Sequence, residues 1–383
     1  MIHCLYIHIP FCIKKCIYCD FYSVPFSHGG IVKDYINAIC KEIPLKKMDA
    51  EIRTVYIGGG TPTVLSDDDL TKIMKTVQDE YNVYSDTEVT IEANPRTITK
   101  EKAESLLKSG INRISIGVQS FFDNELDILG RSHSSEDVIN ALFSARKAGF
   151  KNISIDLIYG VPFYKSQIPS PKFQIQYWKQ ALKLAIGLST EHISVYELTL
   201  EKNTPLYEYI KRGEMIMPDE EIIYEMYYTA LDMIKKSGYI HYEISNFAKP
   251  KYECKHNLNY WNRGEYIGIG AGAFSFLNGK RFSNIRDLSR YIESINDSLI
   301  PVDEETVITE KEAIREFIFL GLRKTEGINL GLLPEDKHLV LEKTIKDLVR
   351  QGLVDVKDNH LRLTEKGLIL SNEIIVQILL CIE

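Results

Sequence analysis

Three cysteines, Cys12, Cys16 and Cys19, stand in the run Cys-Ile-Lys-Lys-Cys-Ile-Tyr-Cys. Thiolates at that spacing can wrap one iron-sulfur cluster if the loop curls round it, and such a cluster ordinarily takes four cysteines. Three ligands leave one iron without a side chain, and an open iron can bind and reduce a substrate rather than only pass electrons. A zinc site with His8 or Cys4 as fourth ligand is the competing reading. Zinc knuckles, however, use two close pairs of ligands, and no second Cys/His pair lies nearby in the chain. Lys14 and Lys15 make the loop polar, which disfavours three unrelated buried cysteines. Cys4, Cys40, Cys254 and Cys381 are scattered and are expected to be non-ligands.

A second group of residues has the chemistry of a ligand pocket. Gly58-Gly59-Gly60-Thr61-Pro62 lets backbone approach a ligand where a Cβ would clash. Without a following Lys-Ser/Thr it is not a phosphate-binding P-loop. Glu92, Gln119, Arg131 and Asp156 are ordinary one by one, since such side chains are most often solvated or locally paired. What unites them is position.

Short β-branched or aromatic runs recur at 4–9, 54–57, 88–92, 113–118, 153–158 and 192–197. Patterns of helical period fill the gaps at 34–43, 67–81, 100–108, 135–148 and 174–186, several opened by a Ser, Thr or Asp at the cap position. Six βα units in a row predict a parallel sheet with right-handed crossovers, either doubly wound or a complete or partial barrel. The cysteines, the glycine run and the four polar residues fall at or just beyond the C-terminal ends of these strands. Parallel α/β folds bind ligands at that edge.

After residue 200 the rhythm stops. A helix is expected over 219–236 and an irregular aromatic segment over 239–282. From 301, helices at 311–322 and 341–351 precede a hairpin, 353–356 and 361–363, with Asp358-Asn359 at its turn. That pattern is like a winged helix. The expected division is therefore a barrel over 1–200, a flanking extension over 201–300 and a smaller α+β domain over 301–383.

The 383 residues, 44% hydrophobic and 26% charged, describe an ordinary globular protein. A net charge of -7 argues against nucleic acid as a partner. No secretory signal is present and no apolar run reaches the roughly 18 residues of a membrane span. A cytoplasmic location is expected, with the seven cysteines reduced and peripheral membrane association left open.

C-x3-C-x2-C after a first strand resembles the radical S-adenosylmethionine (radical SAM) superfamily, whose partial (βα)6 barrel matches the six units. The resemblance implies a [4Fe-4S] cluster on Cys12, Cys16 and Cys19, with the amino and carboxylate groups of SAM on the fourth iron. Electron transfer to the sulfonium there releases methionine and a 5'-deoxyadenosyl radical. The contexts Ile-Glu92-Ala-Asn-Pro, Gly-Val-Gln119-Ser-Phe, Leu-Gly-Arg131-Ser-His and Ile-Asp156-Leu-Ile-Tyr-Gly resemble the oxygen-independent coproporphyrinogen III oxidase-like branch. By that resemblance Tyr6, Gly59, Gly60, Thr61, Glu92, Gln119, Arg131 and Asp156 bind SAM. Arg131 takes its carboxylate, the acidic residues take ribose hydroxyls or the amino group, and Tyr18 is placed to stack on adenine.

The likeness runs on through His256-Asn257-Leu-Asn-Tyr260-Trp261 and covers nearly the whole chain. Phe21 stands where the true oxidases carry a fourth cysteine, and the first strand starts within a few residues of Met1, without their N-terminal extension. These features are most similar to the HemW family of haem chaperones. The family implies haem as ligand, a haem-acceptor protein and an electron donor as partners, and a chaperone rather than a decarboxylating enzyme. Two alternatives stand beside it: an oxygen-independent coproporphyrinogen III oxidase and a non-catalytic cluster scaffold. The complete SAM-pocket set counts against the scaffold. His256 is expected to ligate or position haem, among Tyr260, Trp261 and Tyr266, with Asn257 orienting the imidazole.

Overall fold

The computed structural model describes residues 2–26, 29–47, 51–167 and 169–382. Its centre is the expected run of six parallel strands, Ile2–Ile9, Glu51–Gly59, Asn82–Ala93, Arg113–Gln119, Ile153–Tyr159 and His192–Glu197, each paired to the one before. Leu5, Ile7 and Ile9 are fully buried on one face of the first strand, and Tyr6 and His8 alternate with them on the other. The apolar face packs under Gly30–Leu45, through Ile36, Ile39 and Ile43.

Helices Asp67–Glu80, Lys100–Lys108, Ser135–Ala148 and Pro171–Gly187 return the chain between later strands. Their N-caps are Ser66, Thr99, Ser134 and Ser170, and each side chain accepts the amide three residues on. These caps fix where each crossover begins, and so where each strand ends. The α/β barrel expectation holds.

The sheet does not close on itself. A hairpin, Ile240–Glu243 and Asn246–Ala248, adds antiparallel to the sixth strand. At the opposite edge Tyr266–Ile269 lies parallel to the first strand, followed by antiparallel Phe274–Leu277, Lys280–Asn284 and Val302–Val307. Among the described residues this makes one sheet of twelve strands. The segment 239–282, expected to be irregular, therefore carries short sheet strands and one helix at Lys255–Trp261. Its strands are three to five residues long, too short to display a period.

A buried ion pair anchors the added edge. Glu42 and Lys46, 2.8 Å apart on the first helix, share Asn284, which donates to Glu42 and accepts from Lys46, each at 2.7 Å. Glu42 also accepts from Gly270 N at 2.7 Å and the Tyr291 hydroxyl at 2.5 Å, while Lys46 donates to Gly268 O at 2.9 Å. Every charge in this cluster has partners, which makes burial tolerable.

The C-terminal part packs helices Glu310–Gly321, Glu335–Arg350 and Ser371–Cys381 around a three-stranded sheet of Ile328–Asn329, Val354–Lys357 and His360–Leu363. Asp358 and Asn359 take φ of 50° and 62° at the hairpin turn, the left-handed pair that a tight two-residue turn requires. Among the described residues no helix is long and apolar enough to cross a membrane.

Candidate cofactor site

Beyond the first strand, Phe11–Cys12 pairs with Val24–Pro25, which draws the intervening loop over the C-terminal edge of the sheet. Phe26 N donates to Cys12 O at 2.7 Å and Cys19 N to Cys16 O at 3.3 Å, giving the loop its curl. Cys12, Cys16 and Cys19 are all half-buried free thiols on one cavity of about 610 Å³. The other four cysteines do not line it. Among the described residues no three His, Cys, Asp or Glu side chains gather closely enough to hold a single metal ion. A cubane cluster binds each thiolate to a different iron, so its ligands stand farther apart than those of one ion. Burial pushes the Cys12 and Cys19 thiols up.

The glycine run ends the second strand and is stitched to this loop: Gly60 N donates to Ile9 O and Thr61 N to Phe11 O, both at 2.8 Å. A Cβ on Gly60 would lie 2.6 Å from Phe11 O. At Gly59 φ is +114°, and a Cβ would meet the His8 ring at 2.6 Å. The glycines line the cavity, yet the crowding that demands them is from protein. Thr61 Oγ1 lies 3.7 Å from Cys12 Sγ.

Glu92 reaches across from the third strand, accepting from Gly59 N at 3.1 Å and from the Tyr56 hydroxyl at 2.9 Å. Burial pushes its carboxyl up to about 7. Asp156, on the fifth strand, accepts from Ser115 Oγ at 3.2 Å, and burial raises it as well. Gln119 ends the fourth strand at φ 64°, an uncommon conformation for a residue with a side chain. A Cβ at Gly117 would sit 2.9 Å from Gln119 Nε2 and 3.3 Å from Arg131 Nη2, so the two polar side chains meet over that glycine. Arg131 donates to Gly117 O at 2.8 Å, to Cys16 Sγ at 3.3 Å and to the Tyr18 hydroxyl at 3.5 Å. Its buried Nε has no hydrogen-bond partner. Cys12, Cys16, Cys19, Tyr18, Gly59, Gly60, Thr61, Glu92, Gln119, Arg131 and Asp156 thus share one cavity.

Tyr6 does not join them. It lines a neighbouring cavity of about 530 Å³ with Tyr22, Tyr260, Tyr266 and Arg286, and the two cavities share Asp20, Phe21, Gly59 and Glu92. Its hydroxyl is hydrogen-bonded to His8 Nδ1 at 2.9 Å.

His256, expected to ligate or position haem, lies inside the fold. It is 1% exposed, and both ring nitrogens are engaged, Nδ1 with Thr54 Oγ1 at 2.7 Å and Nε2 with the Tyr260 hydroxyl at 3.0 Å. Its ring stacks on Tyr56 at 5.0 Å. In this arrangement the imidazole offers no nitrogen to an iron, and its partners are Thr54 and Tyr260 rather than Asn257. The motif divides: Asn257 lines the cysteine cavity, Tyr260 the aromatic one, and Trp261 lies beneath Arg323 at 4.9 Å.

Sequence reasoning missed the inner wall of the first cavity. Below Gln119 the fourth strand lines it with Arg113, Ser115 and Gly117, and the sixth strand with His192, Ser194 and Tyr196. A signal was present, since these positions alternate with apolar residues in Arg-Ile-Ser-Ile-Gly-Val-Gln and His-Ile-Ser-Val-Tyr-Glu.

The radical SAM superfamily profile matches residues 6–167, and that of the HemN C-terminal domain matches 308–370. A Bacillus subtilis protein named heme chaperone HemW is 37% identical over 96% of this chain and 97% of its own length. Proteins of the same name from Lactococcus lactis and Escherichia coli are 35% and 31% identical, the alignments covering 98% and 97% of this chain and 97% and 96% of theirs. The fold is that of the solved coproporphyrinogen III oxidase (HemN) from Escherichia coli, with a TM-score of 0.82, 23% identity, and coverage of 100% of this chain and 89% of that one. The cysteine loop on the sheet edge, the barrel beneath it and relatives aligned from end to end agree: the chain belongs to the HemW family of the radical SAM superfamily.

Proposed function

We propose that this chain is a haem chaperone, binding haem and passing it to acceptor proteins from a cytoplasmic location. The observation that carries the reading is end-to-end similarity to proteins named heme chaperone HemW. The likeness to the oxidase lies below the identity at which more than fold transfers, and position 21, where the resemblance drawn from the sequence would put a fourth cysteine in an oxidase, is Phe.

Radical SAM membership implies a [4Fe-4S] cluster and SAM. Three free thiols on one cavity, beside a buried guanidinium nitrogen without a partner, suit that pair of ligands. In our reading Cys12, Cys16 and Cys19 hold the cluster, which supplies an electron to SAM when bound. Arg131 holds the SAM carboxylate next to Cys16, Glu92 accepts its ammonium, Gln119 and Asp156 take the ribose, and Tyr18 lies along the adenine. An electron donor is a required partner.

Haem belongs in the aromatic cavity. Tyr6, Tyr260, Tyr266 and Phe274 line it with aromatic rings, while the Tyr22 ring is stacked on His8 and carries the Arg286 guanidinium at 4.7 Å; Arg286 is the cation for a propionate, opposed by the acidic Asp303 and Glu304. His256 acts there as a positioning residue, through its bond to Tyr260. The test is haem titration of the anaerobically reconstituted chain, read by Soret absorption, alongside incubation with coproporphyrinogen III, SAM and a reductant. One haem per chain without decarboxylation supports the chaperone; decarboxylated tetrapyrrole would establish the oxidase instead.

A further inference from the structure

We infer that the inner end of the cysteine cavity binds a carboxylate group, as a second ligand beside SAM, through the guanidinium of Arg113 and the amide of Asn257. This goes beyond haem carriage, because it gives the barrel lumen a ligand of its own.

Arg113 opens the fourth strand and Gln119 closes it. Six residues at about 3.3 Å each put roughly 20 Å between them. Gln119 and Arg131 stand at the cysteine end, with Arg131 on Cys16 Sγ at 3.3 Å, while Glu92 and Asp156 lie level with Ser115, two residues above Arg113. The same cavity is also lined, at the level where the fourth strand begins, by Arg113, His192 and Asn257, none of them allotted to the cluster or to SAM.

Arg113 is 2% exposed and its Nε has no hydrogen-bond partner. A buried guanidinium is costly unless donors and charge are matched. Cys254 and then Glu88 weigh most on its charge, and Glu92 and Asp156 feel it too. Each carboxylate is bonded elsewhere: Glu88 accepts from Lys255 N and His256 N, each at 3.2 Å, and from Cys254 Sγ at 3.6 Å, Glu92 from Gly59 N and the Tyr56 hydroxyl, and Asp156 from Ser115 Oγ. The neighbouring His192 is neutral in character, bonded on both sides by Ser154 Oγ at 2.8 Å and the Tyr242 hydroxyl at 2.7 Å. The inner end therefore presents one forked cation beside an amide, the donor set that a planar carboxylate completes. Two sources share that chemistry: a free short-chain organic acid, or a carboxylate arm of bound haem.

The test uses 13C-labelled propionate, with chloride as control, titrated into the full-length reconstituted chain and followed by ligand-observed nuclear magnetic resonance. Saturable propionate binding is expected, at least tenfold tighter than chloride and additive with saturating SAM. Asn257→Asp, which keeps the size and adds a repelling charge, should weaken it at least tenfold. Arg113→Lys, which keeps the charge facing Glu88 but loses the fork, should weaken it several-fold, and serves alone if the Asp variant does not fold. No saturable binding, equal chloride affinity, displacement by SAM, or unchanged affinity in a folded variant overturns the inference. Preloading with haem identifies the source: a blocked site belongs to a haem arm, an open one to a separate acid. Haem loading is read independently by its Soret band, so a failure of the haem reading is distinguishable.

Discussion

The Arg131 guanidinium donates to Cys16 Sγ at 3.3 Å, which ties the fourth strand's far side to the middle cysteine of the loop. Nη2 of the same side chain is held on Gly117 O at 2.8 Å. A cation so fixed stands where a carboxylate next to the cluster would lie.

Cluster loading should weaken as pH falls. Burial raises the Cys12 and Cys19 thiols, so ligation must release their protons. Iron and sulfide content after limiting anaerobic reconstitution is expected to be higher at pH 8.5 than at pH 7. Cys16→Ala should lose the cluster's visible absorption, whereas Cys40→Ala should keep it. Equal loading of both variants would remove the three-cysteine assignment.

SAM affinity should rise with pH to a plateau above about pH 7, because the Glu92 carboxyl, pushed up to about 7, accepts an ammonium best when ionised. Glu92→Gln is expected to weaken binding by about 1–3 kcal/mol and to flatten the profile. Calorimetry across pH 6 to 8 reads both; an unchanged slope in the variant would dissociate Glu92 from the ligand.

Acid should destabilise the fold in two stages. Burial holds His8, His133 and His241 near 4 and His256 near 3. Depressed histidines contribute stability that is present above about pH 6.5 and lost as pH falls toward their folded values. Glu92, Glu125 and Glu243 are pushed up to about 7, and their contribution runs the other way, lost as pH rises from about 4.5 through 7. The two sets oppose between pH 4.5 and 6.5, so urea midpoints should fall gently there and steeply below 4.5. A midpoint rising steadily from pH 6.5 to pH 4 would contradict this balance.

Breaking the Glu42–Lys46 pair should cost about 3–5 kcal/mol, the range for leaving one buried charge alone. Glu42→Ala strands Lys46 and removes the acceptor of Gly270 N. Thermal melts should show it as far more damaging than Glu80→Ala, whose ion pair with Lys47 is exposed.

The barrel was legible because its strands alternate with capped helices of the right period, and the hairpin turn because Asp358-Asn359 suits positive φ. The cysteine loop was legible from spacing alone. What escaped were features set by non-local pairing. Residues 239–282 look irregular because each strand there is short and takes its register from a distant neighbour. The aromatic company of His256 is visible in sequence, whereas its bond to Thr54, 202 positions away, which leaves positioning rather than ligation, is not. Tyr6 falls on the second cavity for a similar reason, since only the assembled sheet decides which lumen an inward side chain enters.

Direct handover of haem tests the central claim. Haem-loaded chain is mixed with an apo b-type cytochrome, and the Soret shift is followed in stopped flow as acceptor concentration is varied. A chaperone predicts a transfer rate that rises with acceptor concentration and exceeds the rate of passive haem release to a neutral scavenger. A rate independent of acceptor and equal to passive release would contradict it.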